Sequence, residues 1–213
     1  MLKVGLTGGI ASGKTVVGEM FVALGAHLIR ADDIAHELMH PGRAVYAEVV
    51  RSFGTGILNP DGSVNRARLA EAAFGSQPGS GSARVRELNR IVHPAVIRRQ
   101  DEWLEEIGRH DGQAIAIVEA ALILEAGAAN RFDRLIVVTC REEQRVQRLA
   151  ERRGVNMETA RQEVLRRMAA QLPDEEKIKS ADYVIDNSGS LDTTQKQVSR
   201  VYKRLQEEAL RPN

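Results

Sequence analysis

The segment Gly8 to Thr15, GGIASGKT, stands between a short apolar run, MLKVGLT, and the helix-forming stretch VVGEMFVALG. A buried strand that enters a glycine-rich turn opening a helix leaves a row of unpaired backbone N–H groups at the positive end of the helix dipole. Such a turn binds phosphate. Gly8, Gly13, Lys14 and Thr15 fit G-x-x-x-x-G-K-[ST], in which the lysine reaches the β- and γ-phosphates of a nucleotide and the hydroxyl ligates Mg²⁺. The intervening Gly9, Ile10, Ala11 and Ser12, with Val16 just beyond, complete the expected phosphate contact.

Four further runs read as strands: HLIRAD, AIAIVEA, RLIVVT and DYVIDN. Helical stretches separate them, which predicts an α/β fold with a parallel five-stranded sheet and helices on both faces. Residues 34–111 are far longer than one crossover needs and are expected to form a helical insertion. Within it a loop is expected at 77–83, and the stretch up to Gly112 reads as helix, an irregularity at Pro94, then a long amphipathic helix. Residues 141–180 carry two arginine-rich helices. The expected plan is one domain, with its core at roughly 1–33, 112–140 and 181–213, an insertion at 34–111 and a lid at 141–180.

Composition narrows the class. Thirty basic against 29 acidic residues give a net charge of +1, so no global field draws the chain to nucleic acid or an anionic membrane. The single cysteine, Cys140, excludes an internal disulfide framework and suits a reducing cytoplasm; at the end of LIVVT it reads as a packed thiol. No apolar run nears the ~20 residues of a membrane span. A cytoplasmic protein is expected, with no nucleic-acid or membrane partner.

Three carboxylates fall where the carboxyl edge of the sheet should face the phosphate loop: Asp32, Glu119 and Glu125. Glu119, ending the third strand, is placed to hold Mg²⁺. For Asp32, just before DIAHEL, a helix N-cap is the competing reading. Arg145, Arg148 and Arg152 share one helical face, which is either a solvated charge stripe or a source of positive charge over a transferring phosphoryl group. Arg148 is central on it.

In these features the chain resembles the dephospho-coenzyme A kinase family over nearly its whole length. GLTGGIASGKT is similar to the family's GLTGGIGSGKS, with Thr7 included, and RADDIAHEL to its D-A-D-x-I-A segment. FGTGILNPDGSVNRARLAEAAF, LNRIVHPAV, VEAALILEAG, EEQRVQRLAERRG and ADYVIDNSGS match five further family segments in order. The resemblance implies a phosphate-loop kinase fold with substrate-binding and lid parts, and transfer of the ATP γ-phosphoryl group to the ribose 3′-hydroxyl of dephospho-coenzyme A with Mg²⁺. It implies Asp32 as general base, with Thr7, Arg66, His93, Leu122 and Glu125 on the substrate side. Lys14 and Arg148 would act on the ATP phosphates, and Asn187 would lie near the adenine. A monomer or weak homo-oligomer is expected.

Four positions depart from the family pattern: Arg30 for the first Asp of D-A-D, Glu119 and Ala121 for an Asp and a Pro, and Asn65 for an Asp. Along a strand Arg30 and Asp32 would share a face, within reach of an ion pair. Two other classes stay open from the residues alone. One is a kinase of the same fold for shikimate, gluconate or a nucleoside monophosphate. The other is a nucleotide-binding regulator or RNA-binding adaptor, disfavoured by 4% aromatic content.

Overall fold

The computed structural model describes residues 1–74 and 81–210, which divide into two compact units, 1–30 with 104–210 and 31–103. In the first unit five strands, β1 (Leu2–Gly8), β2 (His27–Arg30), β3 (Ile115–Glu119), β4 (Arg134–Thr139) and β5 (Tyr183–Asp186), pair in parallel in the order β2-β3-β1-β4-β5. Four lie within the apolar runs of the sequence, and β1 extends one residue past its run, to Gly8. The phosphate-loop strand β1 is central, and β3, on one side of it, is buried at every residue, as a strand covered on both faces must be.

Alternation along β4 shows the two faces. Ile136 and Val138 join a core with Val4, Leu6, Val17, Phe21, Ile117 and Leu205, built against helices α1 (Lys14–Ala23) and α9 (Leu191–Ala209). Leu135 and Val137 point the other way, onto Ile123 with Leu124 and Phe132. Helices α6 (Glu142–Arg153) and α7 (Met157–Ala169), within the expected lid, pack their apolar faces around Ile10 of the phosphate loop through Val146, Leu149, Ala160 and Val164. A short helix, α8 (Asp174–Lys179), leads into β5.

The second unit holds α2 (Ala31–Leu38), α3 (Ala44–Phe53), α4 (Arg66–Phe74) and most of α5 (Gly81–His110). A turn between α3 and α4 closes with an antiparallel bridge of Leu58 and Val64, and Tyr46 Oη donates to Gly62 O at 2.7 Å.

Three local expectations change. β2 ends at Arg30 because α2 begins at Ala31, so Asp32 lies in a helical first turn, neither on the strand face of Arg30 nor before the helix. The irregularity expected at Pro94 is absent: α5 runs through it, with Val92, Ala95 and Val96 buried around it. Burial there outweighs the one backbone bond a proline removes. Of the expected 77–83 loop, residues 77–80 lie outside the described residues and 81–83 open α5. Among the described residues no helix is long and apolar enough to cross a membrane.

Candidate active site

The turn from β1 to α1 takes its shape from Gly13. Its φ of 93° lies in the left-handed region, and a Cβ there would overlap Asn187 Nδ2, so only glycine fits. Ala11, at φ 52°, is the sole non-glycine residue with positive φ among those described, and its carbonyl is gripped by Cys140 Sγ at 3.8 Å and Arg148 Nη1 at 3.5 Å. A strained residue persists where its neighbours over-determine it. Gly8 and Gly9 are buried, and Lys14 Nζ lies across them, donating to their carbonyls at 3.0 and 3.4 Å. Thus the motif lysine is folded back over the loop it serves. Val16 is on the exposed side of α1.

Glu119 joins this loop from the end of β3. Thr15 Oγ1 donates to Glu119 Oε1 at 3.2 Å, and Arg30 Nε donates to Oε2 at 3.3 Å. Arg30 also pairs with Glu19. The sheet register sets Arg30 directly beside Glu119, so one of the four residues that depart from the family pattern neutralises another. Thr15 and Glu119 thereby place a hydroxyl and a carboxylate oxygen side by side, two hard donors of the kind that hold Mg²⁺ together with nucleotide phosphates. Among the described residues no group of three or more His, Cys, Asp or Glu gathers around a metal position.

On the far side of the loop, Arg148 Nη1 donates to Ser12 O at 3.1 Å and Nη2 to Asn187 O at 2.9 Å. Asn187, 3% exposed, donates from Nδ2 to Ser12 O at 2.9 Å and accepts from Thr194 Oγ1 at 2.9 Å. Both side chains brace the loop's second half. Thr7 is fully buried and donates to Ala121 O at 3.3 Å, tying β1 to the turn after β3. In that turn Leu122 is 43% exposed, and Glu125 faces Lys177 Nζ at 2.9 Å while accepting from Leu172 N at 3.1 Å. Cys140 is buried, and desolvation pushes its thiol above the ordinary range, as suits a packed strand-end residue.

Asp32, Arg66 and His93 belong to the second unit. Asp32 and Arg66 are exposed in the first turns of α2 and α4. Asn65 caps α4, its Oδ1 accepting from the N–H groups of Ala67 and Arg68 at 3.1 and 3.0 Å, a role in which Asn and Asp are equivalent. His93 is solvent-reachable on α5, and partial desolvation holds its imidazole below the usual histidine range.

Two residues carry more of this arrangement than the sequence suggests. Arg145 is 1% exposed, pairs with Asp174 and donates from Nε to Cys140 O at 3.2 Å; it lies directly over Gly9. Lys177 is fully buried against Glu125. Neither stands out in a helical run of mixed charges. The only signal for Arg145 is that it shares a face with Arg148.

Comparison with known proteins gives one consistent answer. The family model described as dephospho-CoA kinase matches residues 2–193. The chain is 42% identical to the dephospho-CoA kinase of Syntrophotalea carbinolica, across 96% of this chain and 92% of that one. Among solved structures it superposes on TT1252 from Thermus thermophilus with a TM-score of 0.76 and 31% identity, covering 96% and 97% of the two chains. Dephospho-CoA kinase from Campylobacter jejuni, at 23% identity, shares the fold with a TM-score of 0.62, covering 95% of this chain and 96% of that one.

Proposed function

The chain belongs to the dephospho-CoA kinase family, and from that premise we propose how its residues carry out the final step of coenzyme A synthesis. The reaction is transfer of the ATP γ-phosphoryl group to the ribose 3′-hydroxyl of dephospho-coenzyme A, leaving ADP. The observation that carries this reading is the turn from Gly8 to Thr15 with Glu119 beside it, a phosphate seat joined to a pair of hard oxygen donors.

Phosphoryl transfer needs little covalent help from a protein. It needs in-line positioning and positive charge over the transferring group. Backbone N–H groups of Gly9 to Thr15 cradle the phosphate chain, and Lys14 leaves the carbonyls of Gly8 and Gly9 for the β- and γ-phosphates. Thr15 Oγ and the Glu119 carboxylate would hold Mg²⁺, which when bound neutralises charge on those phosphates. Arg30, on the second Glu119 oxygen, directs the first toward Thr15. Arg148 and Asn187 keep the loop in its binding shape, with Asn187 at the adenine side.

For the acceptor we assign Asp32 as the base that orients the 3′-hydroxyl and takes its proton, with Arg66, His93, Thr7, Leu122 and Glu125 toward dephospho-coenzyme A. Residues 141–180 act as the lid. We place the protein in the cytoplasm as a monomer or weak homo-oligomer.

The test follows labelled phosphate. With γ-labelled ATP, the label should pass to dephospho-coenzyme A and be released by a 3′-nucleotidase, and Lys14→Ala should lower the transfer rate by about 10² to 10³. Label that a 3′-nucleotidase cannot remove would show a different acceptor position. Label passed to shikimate or a nucleoside monophosphate in preference would show a different kinase.

A further inference from the structure

Arg145 is a buried cation at the phosphate loop with one donor unspent. Its Nε goes to Cys140 O and its Nη2 to Asp174, but Nη1 is fully buried with no hydrogen-bond partner among the described residues. That nitrogen lies over Gly9, so closely that a Cβ on Gly9 would overlap it and would stand 3.4 Å from Asp174 Oδ1. Gly9 has no positive φ, so what forbids a side chain there is the guanidinium. Lys14 Nζ rests on the Gly9 carbonyl as well. Two cations and one carboxylate therefore converge on a single residue of the turn, at the end of the loop to which the motif lysine brings the β- and γ-phosphates.

An undonated N–H on a dry guanidinium is costly, and native proteins rarely keep one without a use. The carboxylate explains the state. Asp174 is an internal anion held against the phosphate loop, in the first turn of α8, with its side chain 27% exposed. Arginine matches phosphate and carboxylate through the same fork of donors, so the two anions compete. We propose that Arg145 is a phosphate-binding residue of the kinase, and that Asp174 occupies its guanidinium until nucleotide arrives. When the phosphates enter, the part-exposed Asp174 side chain turns out toward water. Nη2, released from Asp174, and the orphaned Nη1 then donate together to the β- and γ-phosphates. α6 carries Arg145 and α8 carries Asp174, so the exchange also loosens the tie between these two helices as the loop fills.

The proposal rests on the ATP-binding reading, and one set of titrations separates the two. ATP, ADP and AMP are titrated calorimetrically, without acceptor, into the full-length wild type, Asp174→Asn, Arg145→Gln and Arg145→Lys, with the thermal midpoint of each recorded. Removing the competing charge should tighten ATP by about three- to tenfold in Asp174→Asn. Arg145→Gln should weaken ATP and ADP by about tenfold, Arg145→Lys less, and AMP should be unchanged throughout. A guanidinium that only braces Gly9 gives the opposite sign: Asp174→Asn would free the brace and weaken ATP. An ATP affinity in Asp174→Asn equal to or weaker than that of the wild type overturns the proposal, whether or not Arg145→Gln folds, because Asp174 is part-exposed and its amide keeps the shape. An AMP shift as large as the ATP shift overturns it too. A wild type that binds no ATP removes the ATP reading itself, and this one with it.

Discussion

Replacing Arg148 with Ala separates a brace from a solvated lid charge. The side chain is half-buried and makes two good charge-assisted hydrogen bonds, to Ser12 O at 3.1 Å and Asn187 O at 2.9 Å, with a weak third to Ala11 O at 3.5 Å. Water replaces part of what is lost, so about 1 kcal/mol per good bond, or about 2 kcal/mol in all, is the expected cost. For a chain of 213 residues this lowers the thermal midpoint by roughly 4–8 °C. Arg148→Lys, with one compact donor group, should lose about half of that. ATP affinity should weaken in parallel, because the loop's second half loses the contacts that hold Ala11 at positive φ. Differential scanning calorimetry of both variants, with and without ATP, measures each quantity. A midpoint for Arg148→Ala within about 1 °C of the wild type would mean that these contacts do not hold the loop.

Asp32→Asn keeps the size of an exposed side chain in the first turn of α2 and removes its basicity, so kcat should fall by about 10² to 10⁴ with the thermal midpoint unchanged; near-normal turnover in ADP release would remove its role as base. Lys177→Met strands Glu125, whose side chain is 16% exposed, and should cost about 3–5 kcal/mol by urea denaturation, most of it regained in Lys177→Met/Glu125→Gln; a failed rescue would show the cost is packing and not charge. Because burial raises the Cys140 pKa, the thiolate fraction at any given pH is depressed. Alkylation of the native protein should therefore stay slow through the ordinary thiol range and become fast in urea; fast native labelling at neutral pH would refute this.

The sheet was legible because its three inner strands, β1, β3 and β4, carry the apolar runs that burial on both faces requires, while the edge strands β2 and β5 are shorter and only part-buried. The end of β2 was not. RAD continues the run on paper, and only the start of α2 at Ala31 takes Asp32 off the strand. The phosphate loop and Glu119 were legible from glycine spacing and strand position. The partners of the charged residues were not, because periodicity gives a face and not its neighbour. Arg145, Arg148 and Arg152 form one stripe in the sequence, yet they are buried, half-buried and exposed in turn as α6 leans across the loop. Lys177 reads as a solvated lysine in DEEKIK, and only its docking on Glu125 buries it.

In the proposed function the turn from Gly8 to Thr15 delivers the phosphoryl group to dephospho-coenzyme A. The most direct measurement is a coupled ADP-release assay with ATP, Mg²⁺ and purified protein, with and without that acceptor. ADP release should depend on dephospho-coenzyme A and should be lost in Lys14→Ala. Release no faster than in the acceptor-free control, with the wild type folded and binding ATP, would rule out this transfer.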